Sequence, residues 1–324
     1  MELNATLKKE IRQFREMSTA LRRMETMLAD FCGSAGGLSE GLMRINASGG
    51  KRFRPMIAWM CWKIAGENGP IVPLMCMLEL MHTASLIHDD IVDGAEMRRG
   101  VVTISKQGGI PAAIRSGDYL LARAMELLKI YRGTGINEAL SQVSELMCIG
   151  EINQQNRVFG ADGLIESEYR EYVFCKTAAF IAESCRSGAV AGGAPERDSQ
   201  SIWEYGKHLG MAFQMRDDYL DWVEDAGTGK VPLQDLRNGS MTSLVILAVN
   251  QAGAHINELL IKNTKSEEEI KRILQLVRDA GVLEIAQSYI TKECSLAVSA
   301  LDNITDSPEK SALTQLAKSI SEVK

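Results

Sequence analysis

The stretch Glu79-Leu-Met-His-Thr-Ala-Ser-Leu-Ile-His-Asp-Asp-Ile-Val-Asp-Gly-Ala-Glu-Met-Arg-Arg-Gly100 decides the fold. Leu80, Met81, Ala84, Leu86 and Ile87 make an apolar, helix-compatible run that ends in Asp89, Asp90 and Asp93, followed by Arg98 and Arg99. Asp89 and Asp93 are four apart, so a continuing helix puts them on one face. Carboxylates that close repel unless a cation sits between them, and hard oxygen ligands favour Mg²⁺. No Cys or His joins the cluster at a spacing that suits zinc. A second copy, Asp217-Asp218-Tyr-Leu-Asp221, also closes an apolar stretch. A lone Asp-Asp-x-x-Asp is most simply a solvated helix end. Two of them, each behind an apolar helix, point to a greasy cavity with a metal-charged mouth, suited to a diphosphate head and a hydrocarbon tail.

Bulk composition sets limits on this reading. The 324 residues are 45% hydrophobic and 24% charged, ordinary for a soluble globular chain, with room for one large domain or two smaller ones. A formal net charge of −6 argues against a nucleic-acid binder or a general binder of acidic membranes. Seven cysteines without framework spacing read as reduced thiols, with Cys61, Cys76 and Cys148 as buried filler. No signal-like start or long apolar run appears, so a cytoplasmic protein is expected. With 7 prolines and little β-type alternation, the fold class expected is all-α.

Along the chain, three- and four-residue apolar spacing predicts an amphipathic helix over 3–31 and another entered near Pro55 and running to Ala65. The helix holding the opening stretch should begin near Pro73, with a loop after Gly100. Further helices are expected over 112–131, 136–159, 165–192 and 199–223, then a loop over 225–232 and four shorter helices. No linker or repeat interrupts them, so residues 1–324 read as a single domain.

Other motifs gather around the carboxylates. Lys51, Arg52 and Arg54 follow Gly49-Gly50, where backbone can approach an anion closely, and with Arg98 and Arg99 they suggest a second anion site. His82 is either a satisfied core residue or a phosphate donor. Lys176 and Thr177 interrupt an apolar helix, where a lysine needs an anion or must snorkel. Gln214 stands one turn before Asp217. No Walker-type loop is present.

Taken in order, Gly49-Gly-Lys-Arg-Phe-Arg-Pro55, His82-Thr-Ala-Ser-Leu-Ile-His-Asp-Asp-Ile-Val-Asp93, Arg98-Arg-Gly100, Gly117-Asp-Tyr-Leu120, Lys176-Thr-Ala178 and Phe213-Gln-Met-Arg-Asp-Asp-Tyr-Leu-Asp221 resemble the trans-isoprenyl diphosphate synthases, the polyprenyl synthetase family. The resemblance implies an isoprenoid-synthase fold, a single large helical bundle around a central cavity, usually homodimeric. It implies three Mg²⁺ ions on Asp89, Asp93 and Asp217, supported by Asp90, Asp218 and Asp221. Arg98, Lys176, Gln214 and Lys230 would contact an allylic prenyl diphosphate, with Thr177 beside it. Lys51, Arg54, His82 and Arg99 would hold isopentenyl diphosphate. A family lysine after the second motif is replaced by Ser240, in Gly239-Ser-Met-Thr242.

Product length follows from the helix before Asp89. Short-chain members of the family often carry a bulky residue at the positions of Ala84 and Ser85, both small here. The first plugs would then be Leu80, Met81 or Met77, or Met125 on a facing helix, which predicts a product longer than C20. A short-chain farnesyl or geranylgeranyl synthase is the alternative, as is a non-catalytic subunit of a heteromeric enzyme. A terpene cyclase fits poorly, since Asp221 and Asp225 occupy the Ser/Thr and Glu places of its second motif. Long products would bring at most transient membrane contact.

Overall fold

In the computed structural model, which describes residues 15–155, 166–223, 242–252, 254–260 and 265–322, the chain is built almost wholly of α-helices. Helix α1, Arg15–Gly33, buries Met17, Met24 and Leu28 on one stripe, as the spacing predicts for its described part. The short α2, Ser39–Ala47, leads to α3, Phe53–Ile64. Helix α4, Val72–Val92, carries Pro73 in its first turn, where its nitrogen needs no hydrogen bond.

The loop expected after Gly100 is a small ribbon instead. Strands β1, Met97–Arg98, and β2, Val101–Val102, pair antiparallel across Arg99 and Gly100. Both turn residues have positive φ, at 51° and 79°, as a tight hairpin with strand-matched twist requires. A run of two residues per strand is too short to show alternation in sequence. Helix α5, Ile104–Gly108, follows, capped by the Thr103 hydroxyl. Helix α6, Ile110–Leu128, and helix α7, Ile136–Gln155, come next.

The long helix expected over 165–192 is broken. Helix α8, Glu166–Val173, passes through a π-helical turn at Phe174–Ala178 into α9, Ala179–Gly192. The wide turn falls on Lys176 and Thr177, and such bulges are frequent at functional sites. Apolar spacing continues through it, which is why periodicity reads one helix. Helix α10, Glu196–Asp221, starts three residues earlier than expected and carries the second acidic cluster at its end. Five helices close the described chain rather than four: α11, Ser243–Ala252; α12, Ala254–Leu260; α13, Glu267–Asp279; α14, Val282–Ala300; and α15, Pro308–Ser321. The extra boundary has a signature, a capping box of Ser266 and Glu269 ahead of α13.

The main core lies where α4 packs along α6 and where α9 is sandwiched between α3 and α10, with α14 on the far side of α10. Backbones touch at two of these seams. A Cβ at Gly188 would lie 2.2 Å from the Ala58 carbonyl oxygen, and one at Gly210 would lie 2.6 Å from Ala178 Cα. A second apolar cluster joins α11–α14 to Trp222, and Tyr219 and Tyr289 pack on both clusters. This layering leaves the ends of α4 and α10 flanking one cavity.

Candidate active site

A cavity of about 820 Å³ opens between α3, α4, α7, α9 and α10. On α4 it meets Glu79, Met81, His82, Ser85 and Asp89, while Leu80, Ala84 and Met77 are buried away from it. One residue turns a helical side chain by about 100° about the axis. Ser85 therefore faces the cavity and Ala84, at 0% exposure, faces the packed neighbours. Sequence reading paired Ala84 with Ser85, and Leu80 and Met77 with Met81; only Ser85 and Met81 line the cavity. Met125 is 67% exposed on α6 and does not line it either.

Asp89 and the cationic residues share the mouth. Burial raises the Asp89 carboxyl to about 6; Lys176 opposes the rise, while Glu151 and Asp93 add to it. Lys176 Nζ lies 2.8 Å from Glu151 Oε2, and Thr177 Oγ1 donates to Gln214 Oε1 at 3.0 Å. Gln214 Nε2 in turn donates to Asp218 Oδ1 at 2.9 Å, and the Tyr169 hydroxyl donates to Asp218 Oδ2 at 2.7 Å. A continuous set of bonds thus ties the π turn, α8 and the second acidic cluster together. Glu151 and Tyr169 were missed from sequence. Their signal was slight: Gly150 inside a helical pattern, a mark of close backbone approach, directly before an acid.

The expected support residues have structural partners. Asp90 is 2% exposed and accepts from Arg98 Nε at 2.5 Å. Arg98 thus pairs with Asp90 and is not part of the cavity wall. The hairpin folds it back beside the end of α4, an arrangement that sequence spacing could not show. Asp218 is likewise buried, at 5% exposure. Asp93 is exposed at the C-cap of α4, and Asp217 and Asp221 are half-buried in the last turn of α10. Lys230 and Ser240 lie outside the described residues.

Lys51, Arg54, His82 and Arg99 line the same cavity. Arg99 donates from Nη1 to the Gly49 carbonyl, and a Cβ at Gly50 would lie 2.7 Å from that same Nη1, so the glycine makes room for the guanidinium. Arg54 stacks 4.8 Å over the Phe180 ring with its Nε hidden from solvent and unpartnered, and burial lowers its guanidinium to about 10, still protonated at neutral pH. Burial first, then Arg54, Arg99, Arg98 and Arg52, push His82 well below the usual histidine value. Among these cations His82 is held as a neutral imidazole, which keeps one N–H to donate to an anion. Arg52 also lines the cavity, but its guanidinium is taken up by carboxylates, clamping Glu25 at 2.6 and 3.0 Å and Glu79 at 2.5 Å. Cys61 and Cys76 are buried as expected, but Cys148 is exposed at the cavity wall.

The donor set fits a hard divalent cation. Both acidic clusters sit at helix C-termini, where the backbone dipole already places negative charge and where neither α4 nor α10 has a basic residue in its last turn. Among the described residues, no three candidate ligands stand close enough to cage a metal unaided. A pH dependence follows. A carboxyl raised to about 6 is protonated below that pH, so proton and cation compete there. The increase in Tm on adding Mg²⁺ is expected to be full at pH 7.5 and to shrink as pH falls through about 6, measured by calorimetry.

No described helix is long and apolar enough to cross a membrane. The polyprenyl synthetase profile matches residues 37–277. A short chain isoprenyl diphosphate synthase of Methanothermobacter thermautotrophicus is 33% identical over 279 residues, 83% of this chain and 85% of that protein. The crystal structure of a decaprenyl diphosphate synthase from Rhodobacter capsulatus superposes with a TM-score of 0.91 at 28% identity, covering 97% of this chain and 99% of that one. A polyprenyl synthase from Caulobacter crescentus, solved with calcium and isoprenyl diphosphate, gives 0.88 at 28% identity, with 100% of both chains covered. These relatives span short and long products, so they indicate the reaction class and leave chain length open. In sequence and in fold, the chain belongs to the polyprenyl synthetase family, the prenyltransferases that build isoprenyl diphosphates.

Proposed function

We propose that the chain condenses isopentenyl diphosphate with an allylic prenyl diphosphate to give a trans product longer than twenty carbons. The observation that carries this reading is one cavity that joins an acidic mouth at Asp89, cations at Lys51, Arg54, Arg99 and Lys176, and an apolar wall including Met81, Leu121 and Met147. In the reaction the allylic C–O bond breaks and diphosphate leaves with the electron pair. The isopentenyl double bond then forms the new C–C bond, and a proton is lost to the departed diphosphate.

Lys176 and Gln214, steadied by Thr177 and Asp218, hold the allylic diphosphate. Lys51, Arg54, Arg99 and neutral His82 hold the isopentenyl one. Asp89, Asp93 and Asp217, with Asp221 nearby, would hold Mg²⁺, three ions by family resemblance, whose charge stabilises the departing diphosphate. The aliphatic wall excludes water from the allylic cation.

On the cavity face of α4 the position one turn below Asp89 is Ser85, and the next is Met81, eight residues or about 12 Å down the axis. An unbranched methionine yields to a growing chain where an aromatic ring would not. Ser85→Phe is therefore expected to shorten the product by one or more isoprene units, read by chromatography of the dephosphorylated products. Ala84→Phe should instead lower stability, since it overpacks a buried site. Unchanged length in a folded Ser85→Phe chain would remove Ser85 from the product path.

Ile110, Ile114 and Met125 leave one exposed apolar stripe on α6, which supports a homodimer formed across that helix. The chain is assigned to the cytoplasm on the same grounds as its reduced cysteines.

A further inference from the structure

One acidic side chain on the cavity wall has no part in the chemistry above. Glu151 on α7 points its Oε2 at Lys176 Nζ, 2.8 Å away, with both side chains largely shielded from solvent. Their backbones are held together closely. A Cβ at Gly150 would lie 2.9 Å from the Lys176 nitrogen, so the neighbouring acid and the π turn are fixed in register. Asp89 feels both charges, Lys176 lowering and Glu151 raising its carboxyl. The ammonium that the proposed reaction needs for a diphosphate is thus engaged by a carboxylate of the chain itself.

The two partners cannot both claim Lys176 at full strength. A diphosphate carries several negative charges against the single charge of Glu151, so it draws the ammonium when it enters. When inorganic diphosphate departs, the carboxylate takes the ammonium back, and the half-buried lysine is never left uncompensated. We propose that Glu151 is a positioning residue that holds Lys176 between turnovers and, by competing for it, promotes release of inorganic diphosphate. The inference rests on the proposed function and deepens it by naming what resets the diphosphate site.

The test is binding of inorganic diphosphate to the metal-free chain, in chelator, by calorimetry. There only the protein's own cations hold the anion. Glu151→Gln removes the competing charge and keeps the side-chain volume. It is expected to tighten that binding about fivefold, the size of one partly exposed ion pair. The gain should vanish in a Lys176→Gln background, because the two residues act through one contact. In turnover with Mg²⁺, Glu151→Gln should lower the inhibition constant for inorganic diphosphate and lower kcat, with the KM for isopentenyl diphosphate unchanged. Glu151→Asp keeps the charge and withdraws it by one methylene, so it should fall between the two, and it carries the test if the amide variant does not fold. Unchanged or weaker metal-free binding in a folded variant, or a gain that persists without Lys176, would overturn the role. Wild-type elongation measured alongside separates the two claims. A wild type that does not elongate overturns the proposed function, whereas an elongating wild type with an unaltered variant overturns only the role of Glu151.

Discussion

Asp89→Asn is expected to cut kcat/KM at least about 10³-fold while raising the Tm of the metal-free protein. The loss follows from the position of Asp89, the one carboxylate of the two acidic clusters that lines the cavity itself. Asparagine keeps the shape but removes the charge that a cation needs. The stability gain follows from linkage. The folded-state carboxyl is raised above its unfolded value of 3.8 to about 6, so its stabilising contribution is complete below about pH 3.8 and is lost as pH rises through 6. At pH 7.5 the wild type therefore keeps an unfavourable buried charge that the amide lacks. Assay and calorimetry on the same preparation check both halves. A variant that is inactive and also less stable would show that Asp89 is structural.

Arg52→Met should destabilise the fold by about 3–5 kcal/mol, the usual effect of removing one partner from a buried ion pair. Glu79 is 2% exposed and receives Arg52 Nη1, while Glu25 takes the other edge of the same guanidinium. The methionine would leave Glu79 in the core without its main counter-charge. In a chain of this size the Tm should fall by roughly 4–7 °C. Adding Glu79→Met to Arg52→Met should recover much of the loss, because a well-packed apolar pair often equals a buried ionic one. It should not restore affinity for isopentenyl diphosphate, since the clamp also fixes the segment that carries Lys51 and Arg54. Denaturant unfolding of the single and double variants, with KM measurements, decides this. A single variant as stable as wild type would mean that Glu79 finds another cation nearby.

The helical architecture was legible because a 3.6-residue apolar rhythm survives in almost every element. Breaks in helix geometry were not. The π turn at Phe174–Ala178 leaves the apolar spacing intact, yet it changes how Lys176 and Thr177 meet α7 and α10. Within the site, residue type and spacing identified the acidic clusters and the Lys51–Arg54 segment, since close carboxylates and close cations each demand a counter-charge. Which side chains point inward was less accessible. Ala84 and Ser85 are adjacent and both small, and only the rotation of α4 about its axis separates them. Arg98 looked like Arg99 in sequence, but a two-residue ribbon sends it back to Asp90 and leaves Arg99 on the cavity wall. Glu151 was invisible for another reason: an acid on a helix reads as a solvated face until a lysine from a distant segment stands against it.

The central claim is chain elongation, and the most direct measurement supplies the purified chain with Mg²⁺ and labelled isopentenyl diphosphate. Dimethylallyl, geranyl, farnesyl and geranylgeranyl diphosphates would be tried as separate primers, with the dephosphorylated products sized. The account predicts a ladder that passes twenty carbons and stops at one length. A ladder ending at fifteen would contradict the reading of Ser85 and Met81 as an open path. No incorporation with any primer, from a folded chain, would contradict elongation itself.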